Sequence, residues 1–347
     1  MAGADTMMQN ALLAGLLLSL VAGLMNGTFT LPMRFLGKWS WENVWSIFIV
    51  GSCLLLPAAV IAVSAPHSWN VIAHIPVRLE LMALATGLAW GFGAIMFGQA
   101  VSAIGISMAN TFVLATSSAL GAVLPMIILH PEKLRDRSGT ILLAGVAVEI
   151  FGIVLCGRGG FLREKSVVVV QRDFVGKTRP LHIGFLLALG SGILSAVFNI
   201  GFAMSQPISQ LGQEHGLSPF ASTNLIWFIM LGGGAVSNLG YCVYLLLVNK
   251  SASKFAQPGS LKLYILSLCM AVLWGGSIFV YGAATLRLGV LGTSVGWPLS
   301  LATGLLVANF VGFATGEWKC APRQARIWMG SGIVVLIFAI VVMSRAI

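Results

Sequence analysis

The sequence predicts an all-α membrane protein in which ten transmembrane helices form two inverted five-helix repeats. Three observations carry this reading. Only 9% of the 347 residues are charged and 58% are apolar, with a mean hydropathy of +0.94, too little charge to coat a water-facing surface. Ten apolar runs are long enough to span a bilayer, which takes roughly 20 residues. Residues from the first half also return in the second half, in the same order.

The spans are expected at 11–33, 44–64, 80–103, 106–129, 140–157, 181–205, 220–247, 263–285, 289–315 and 327–344. Each should be a helix, because backbone polar groups in hydrocarbon need partners within their own segment. The first run has no basic segment before it, so it reads as a retained span and not as a cleaved signal peptide. The repeat is clearest where Trp90, Gly91, Gly98, Ala100 and Gly105 recur as Trp274, Gly275, Gly282, Ala284 and Gly289, with Phe97 matched to Tyr281. In span 1, Gly15, Gly23 and Phe29 recur as Gly184, Gly192 and Phe198 in span 6. Spans 2 and 7 share Asn43/Asn224 and Gly51/Gly232 weakly; spans 5 and 10 share Gly145/Gly332 and Arg158/Arg345. Five crossings is an odd number, so the second unit enters the membrane from the opposite side. The expected organisation is a first repeat at 1–158, a basic central loop at 159–180 and a second repeat at 181–347.

Orientation follows from Lys and Arg. Fourteen lie in the odd-numbered connections and six in the even connections and tails. The odd connections are therefore expected in the cytoplasm and both termini in the periplasm. The net charge of +10 then belongs to loops beside anionic headgroups, not to a nucleic-acid surface. The five scattered cysteines and five histidines show no metal-ligand spacing, so neither a metal nor another cofactor is expected.

Polar side chains at membrane depth are costly and tend to face a protein interior or a hydrated cavity. Asn26, Thr30, Gln99, Asn110 and Asn199, with the rings of Trp90, Trp274, Tyr281 and Trp297, supply uncharged hydrogen-bonding groups and flat faces. They suit a neutral, polyhydroxylated ligand, and they are the candidate substrate-binding residues. Trp90 and Trp274 are expected as facing walls of one cavity. The plainer alternative for any such residue is a bond to a backbone carbonyl or a neighbouring helix. Glu149 is the one acid well inside a span, and its repeat partner is Leu336; it is the candidate proton-coupling residue. An inverted pair around a central site would work by alternating access.

The run Lys38-Trp39-Ser40-Trp41-Glu42-Asn43-Val44-Trp45, the Trp90–Gly98 stretch, Gly232-Gly233-Gly234-Ala235 with Asn238-Leu239-Gly240, and Glu317-Trp318 together resemble the L-rhamnose–proton symporter family of the drug/metabolite transporter superfamily. The resemblance covers nearly the whole chain. It implies a ten-helix transporter, not an enzyme, that imports sugar with protons across a bacterial inner membrane. Its partners would be a small-molecule sugar, protons and the lipid bilayer. An exporter of drugs or metabolites from the same superfamily is the alternative; an intramembrane enzyme is the more distant one. Trp39, Trp41 and Glu42 read as anchors at the membrane boundary, where aromatic belts form.

Overall fold

A computed structural model describes residues 2–66, 68–168 and 180–347; side chains are described from residue 7 onward, except Arg34, Val167 and Val168. No strand is present among the described residues. Among the described residues, ten helices are long and apolar enough to cross a membrane: α1 (Met7–Met33), α2 (Trp41–Ser64), α3 (Val77–Ile104), α4 (Ile106–Leu129), α5 (Arg137–Ser166), α6 (Leu181–Glu214), α7 (Pro219–Val248), α8 (Ser260–Thr285), α9 (Gly289–Ala314) and α10 (Arg323–Ala346). At about 1.5 Å per residue even the shortest exceeds a hydrocarbon core of about 30 Å. Leu186, Val236, Leu247 and Phe338 are exposed on their outer surfaces, as expected of side chains that meet lipid.

The largest boundary difference is in α5. The helix continues to Val168, so much of the expected central loop is its last turns. Arg172, Lys177 and Arg179 lie outside the described residues. In α2, Val50–Leu55 forms a π-helical segment just before Pro57. A proline lacks the N–H that an α-helical ladder requires, and a change of winding accommodates it.

Packing repeats as the sequence does. Gly15 of α1 rests on Arg287 and Leu288, as Gly184 of α6 rests on Ala103 and Ile104. Gly23 rests on Ser300 and Thr303 of α9, and Gly192 on Val113 and Thr116 of α4. Gly145 meets Met343, and Gly332 meets Cys156. Exchanging each helix for the one five places along carries each contact onto its counterpart. Small residues allow this close approach, which matters in lipid because helices there gain little from hydrophobicity and associate by contact. The Gly23/Gly192 pair also matches Thr116 with Thr303, which relates α4 to α9. The register between equivalent residues is 184 in α3 and α8 and 187 in α4 and α9. The three extra residues, 290–292, follow Gly289 within and just after the 3-10 turn Gly289–Leu291, where the first half passes from Gly105, at φ +81°, straight into α4.

Connections of like parity meet. The α1–α2 connection touches the α7–α8 connection, where Lys254 Nζ donates to Ser40 Oγ at 2.6 Å. The end of α5 pairs with the α9–α10 connection through Arg163 and Glu317 at 2.9 Å. The odd connections thus define one face and the even connections the other. Among the described residues, two large apolar cores lie between them, and a third, small one gathers Ala100, Ala109 and Ala188. Of the two large cores, one gathers Phe48, Trp227, Met230 and the aromatic residues of α2, α7 and α8. The other gathers Met126, Ile153, Leu299 and Leu336 of α4, α5, α9 and α10. Leu114 packs on both and marks the seam.

Trp39 and Glu42 differ from the expected belt. Trp39 is 6% exposed, packs edge-on to Phe255 and Tyr264, and donates to the Lys254 carbonyl at 3.0 Å. Glu42 is buried and accepts from Ser251 Oγ at 2.5 Å and Asn249 Nδ2 at 3.1 Å. Trp41 stacks on Trp45. The motif ties α2 to the α7–α8 connection, because its carboxylate finds two donors there that lipid headgroups would not hold in place.

Candidate functional site

Two cavities follow the seam. The inner one, of about 110 Å³, is lined by Asn26, Trp90, Ser195, Trp274, Tyr281 and Trp297, among others. The outer one, of about 240 Å³, is lined by Thr30, Asn110, Thr111 and Asn309, and reaches Arg163, Glu317 and Trp318. Asn26 and Gly27, on opposite cavities, are neighbours in α1, and Leu301 and Leu305 are one turn apart in α9. The outer cavity therefore begins where the inner one ends. Its rim is Arg163, whose guanidinium lies 4.9 Å from the Trp318 ring centre and pairs with the partly exposed Glu317. That rim is on the odd face.

The inner cavity has an aromatic side and a polar side. Trp90 and Trp274 are stacked, with ring centres 4.9 Å apart and planes 14° from parallel. The equivalent tryptophans meet face to face as a single wall; they do not stand across the cavity from one another. Phe198 packs on Trp90 at 5.2 Å and Phe48 on Trp274 at 5.7 Å, which fixes the stack. Ser195, Ser277, Ser300 and Asn26 supply the polar groups.

Toward the even face the path is closed. Asn199 Nδ2 donates to the Gly121 carbonyl at 2.8 Å and to the Thr293 carbonyl at 3.3 Å. The Tyr281 hydroxyl donates to Asn199 Oδ1 at 2.5 Å. Trp297 Nε1 donates to Ser117 Oγ at 3.2 Å, and Ser117 donates to Ser195 Oγ at 3.0 Å. These bonds join α4, α6, α8 and α9 in one clasp, and Tyr281 and Trp297 also pack edge-on at 5.5 Å. Buried bonds of this kind are expensive to leave unmade.

The repeat registers convert the clasp residues into positions at the other end. Asn199 corresponds to Thr30, Thr293 to Ile106, Trp297 to Asn110 and Gly121 to Ala308. All four of these line the outer cavity. What is joined at the even end is parted at the odd end.

Glu149 lies mid-way along α5 and is fully buried. Its Oε2 accepts from Ser118 Oγ at 2.5 Å, and its Oε1 has no partner. Ile153, one turn further along α5, lines the outer cavity. Of the sequence-derived candidates, Asn26, Trp90, Trp274, Tyr281 and Trp297 come together at the inner cavity, and Thr30 and Asn110 at the outer one. Asn199 is part of the clasp. Gln99 lines neither cavity, since it sits nine residues, or two and a half turns, beyond Trp90. No cluster of three or more metal-ligating side chains exists among the described residues.

A family model described as L-rhamnose-proton symport protein (RhaT) matches residues 8–347. The chain belongs to that family. The L-rhamnose-proton symporter of Shigella boydii serotype 18 (strain CDC 3083-94 / BS512) is 27% identical over 339 residues, covering 96% of this chain and 97% of that protein. The L-rhamnose-proton symporter of Escherichia coli O1:K1 / APEC is 26% identical over the same length and shares. A solved structure described as "Crystal structure of protein" superposes with a TM-score of 0.57 at 13% identity, covering 95% of this chain and 98% of that chain; the two share a fold. A symporter family fits an inner cavity lined by uncharged polar and aromatic side chains. Ser300 and the Arg163–Glu317 rim, absent from the sequence-derived candidates, carried no local signal: a serine in a span usually bonds its own helix, and the rim partners are 154 residues apart.

Proposed function

We propose that this protein imports L-rhamnose together with protons across a bacterial inner membrane by alternating access. The observation that carries the reading is the asymmetry between equivalent positions: Asn199, Thr293, Trp297 and Gly121 close one end, while Thr30, Ile106, Asn110 and Ala308 line the opening at the other. Two halves (1–158 and 181–347, joined by 159–180) that are threaded inversely through the bilayer exchange these conformations, so the second state follows from the first by swapping roles. The excess of Lys and Arg puts the odd face in the cytoplasm, both termini in the periplasm, and the described state open inward. The relatives named for L-rhamnose and protons supply the substrate and the coupling ion.

In this reading the Trp90–Trp274 stack takes the apolar C–H and methyl side of the deoxy sugar. Asn26, Ser195, Ser277 and Ser300 hold its hydroxyls, and Thr30 and Asn110 pass it outward through the wider cavity. Asn199, Tyr281 and Trp297 bar the periplasmic end while this happens. Glu149 carries the proton, since a lone buried acid in a membrane span needs a reason to be there.

The test is uptake of labelled L-rhamnose into vesicles holding the purified protein, with and without a pH gradient, alkaline inside. Accumulation that requires the gradient is the expected result. Accumulation of a different sugar in its place overturns the substrate; gradient-independent equilibration overturns the symport.

A further inference from the structure

Two consecutive serines of α4 face two different tasks. Ser118 points to α5 and donates to Glu149 Oε2 at 2.5 Å. Ser117, about 100° further around the helix, accepts from Trp297 Nε1 of α9 and donates to Ser195 Oγ of α6. Trp297 and Ser195 both line the inner cavity. Both serines are essentially fully buried. A rotation or tilt of α4 that moves one of these bonds therefore moves the other.

The environment of Glu149 gives the link a direction. Side chains from α4, α9 and α10 packed in its core are Ala122, Met126, Leu299, Ala302, Leu336 and Ala339, none of them titratable. Cys156, a thiol in the same apolar core, lies about two turns on along α5. With a single donor and an orphaned Oε1, the site suits the neutral acid and not the carboxylate, because an ion in such surroundings lacks both a counter-charge and enough hydrogen bonds. The even-face clasp is made in this same arrangement.

We propose that the Ser117–Ser118 couplet is the positioning device that ties the proton on Glu149 to closure over the sugar. This rests on the symport reading and on Glu149 as the proton carrier. Glu149 takes a proton from water while α4 is displaced; a carboxylate oxygen becomes a hydroxyl and no other bond changes. The neutral acid lets Ser118 and α4 settle against α5. Ser117 is thereby brought to Trp297 and Ser195, and the periplasmic end closes on the bound sugar. Loss of the proton to water in the odd-face cavity, one turn away past Ile153, reverses the sequence.

The experiment compares wild type, Glu149→Gln, Ser118→Ala, Ser118→Thr and Ser117→Ala in proteoliposomes. It measures gradient-driven accumulation of labelled L-rhamnose, sugar counterflow without a gradient, and the pH dependence of both. Glu149→Gln should lose accumulation while counterflow persists. Ser118→Ala removes the bond made to the neutral acid and should move the pH midpoint of uptake downward by about half a unit to one unit, the equivalent of one neutral hydrogen bond; Ser118→Thr should restore it. Ser117→Ala should raise the half-saturating sugar concentration and shift the pH midpoint together. If both Ser→Ala variants keep the wild-type midpoint while Glu149→Gln is uncoupled, the couplet is refuted and Glu149 stands as carrier. If Glu149→Gln still accumulates sugar, couplet and carrier both fall and symport stands. No gradient effect in wild type overturns the symport reading itself, and the couplet with it.

Discussion

The two ends of the seam carry different side chains at positions that match in the repeat register. At the even end Asn199, Tyr281 and Trp297 meet across helices and make the clasp. Their counterparts at the odd end are Thr30, Phe97 and Asn110. Phe97 has no hydroxyl to donate, and Thr30 has a shorter reach and fewer donors than an asparagine amide. The comparison teaches that symmetry in packing does not imply symmetry in the energy of closing. In the proposed alternating-access cycle the repeat supplies two interchangeable conformations, and the side chains bias which one rests. A strong even-end clasp and a weakly furnished odd end favour the odd-open state described here.

The comparison is broken most severely by Asn199→Ala. It removes the donor to Gly121 and Thr293 and the acceptor for Tyr281, leaving several buried groups unpaired. A cost of about 2–4 kcal/mol to the closed even end is expected. Thiol labelling of single cysteines placed along α9 should then show the even end open in most molecules, and sugar accumulation should fall at least tenfold. Unchanged labelling would mean that the clasp does not set the resting state.

Tyr281→Phe copies the residue found at the odd end and makes the two ends more alike. It orphans Asn199 Oδ1 only, for about 1–3 kcal/mol, and should move labelling in the same direction by a smaller amount. Trp297→Phe deletes one bond, to Ser117, at about 1 kcal/mol. Because Trp297 also lines the inner cavity, the half-saturating sugar concentration should rise as well, which separates it from Tyr281→Phe. The smallest effect belongs to the odd-face rim. Arg163→Gln removes the pairing with the partly exposed Glu317, worth less than about 1 kcal/mol in water-exposed pairs. Transport should change less than about fivefold, and wild type should lose the same advantage when salt is raised.

The spans were legible because hydrocarbon imposes a length and a polarity that a hydropathy reading detects directly. The repeat was legible in four helix pairs and hidden in the fifth. Thr116 and Thr303 do not align at the register of the Trp90/Trp274 stretch, since three extra residues, 290–292, lie within and just after the 3-10 turn Gly289–Leu291. Only the contacts of Gly23 and Gly192 restore the match. The candidate residues were chosen by polarity at depth, which selects interior-facing positions but cannot say which cavity, if any, they reach. Hence Asn26, Trp90, Trp274, Tyr281 and Trp297 converge while Gln99 does not. Glu42 shows the opposite failure: placed at a boundary by the sequence, it is buried by partners more than 200 residues away.

The sequence by itself determined that this chain lives in a membrane, crosses it ten times, repeats, and keeps a single acid deep in a span. Those properties follow from composition, period and order along one dimension. The tertiary structure decided that the two repeat tryptophans share one wall, that Asn199 closes an end instead of lining a pocket, and that adjacent serines of one helix reach both the buried acid and the cavity. Each of these depends on the rotation and crossing of helices about their neighbours, which close glycine contacts set and no pattern along the chain encodes.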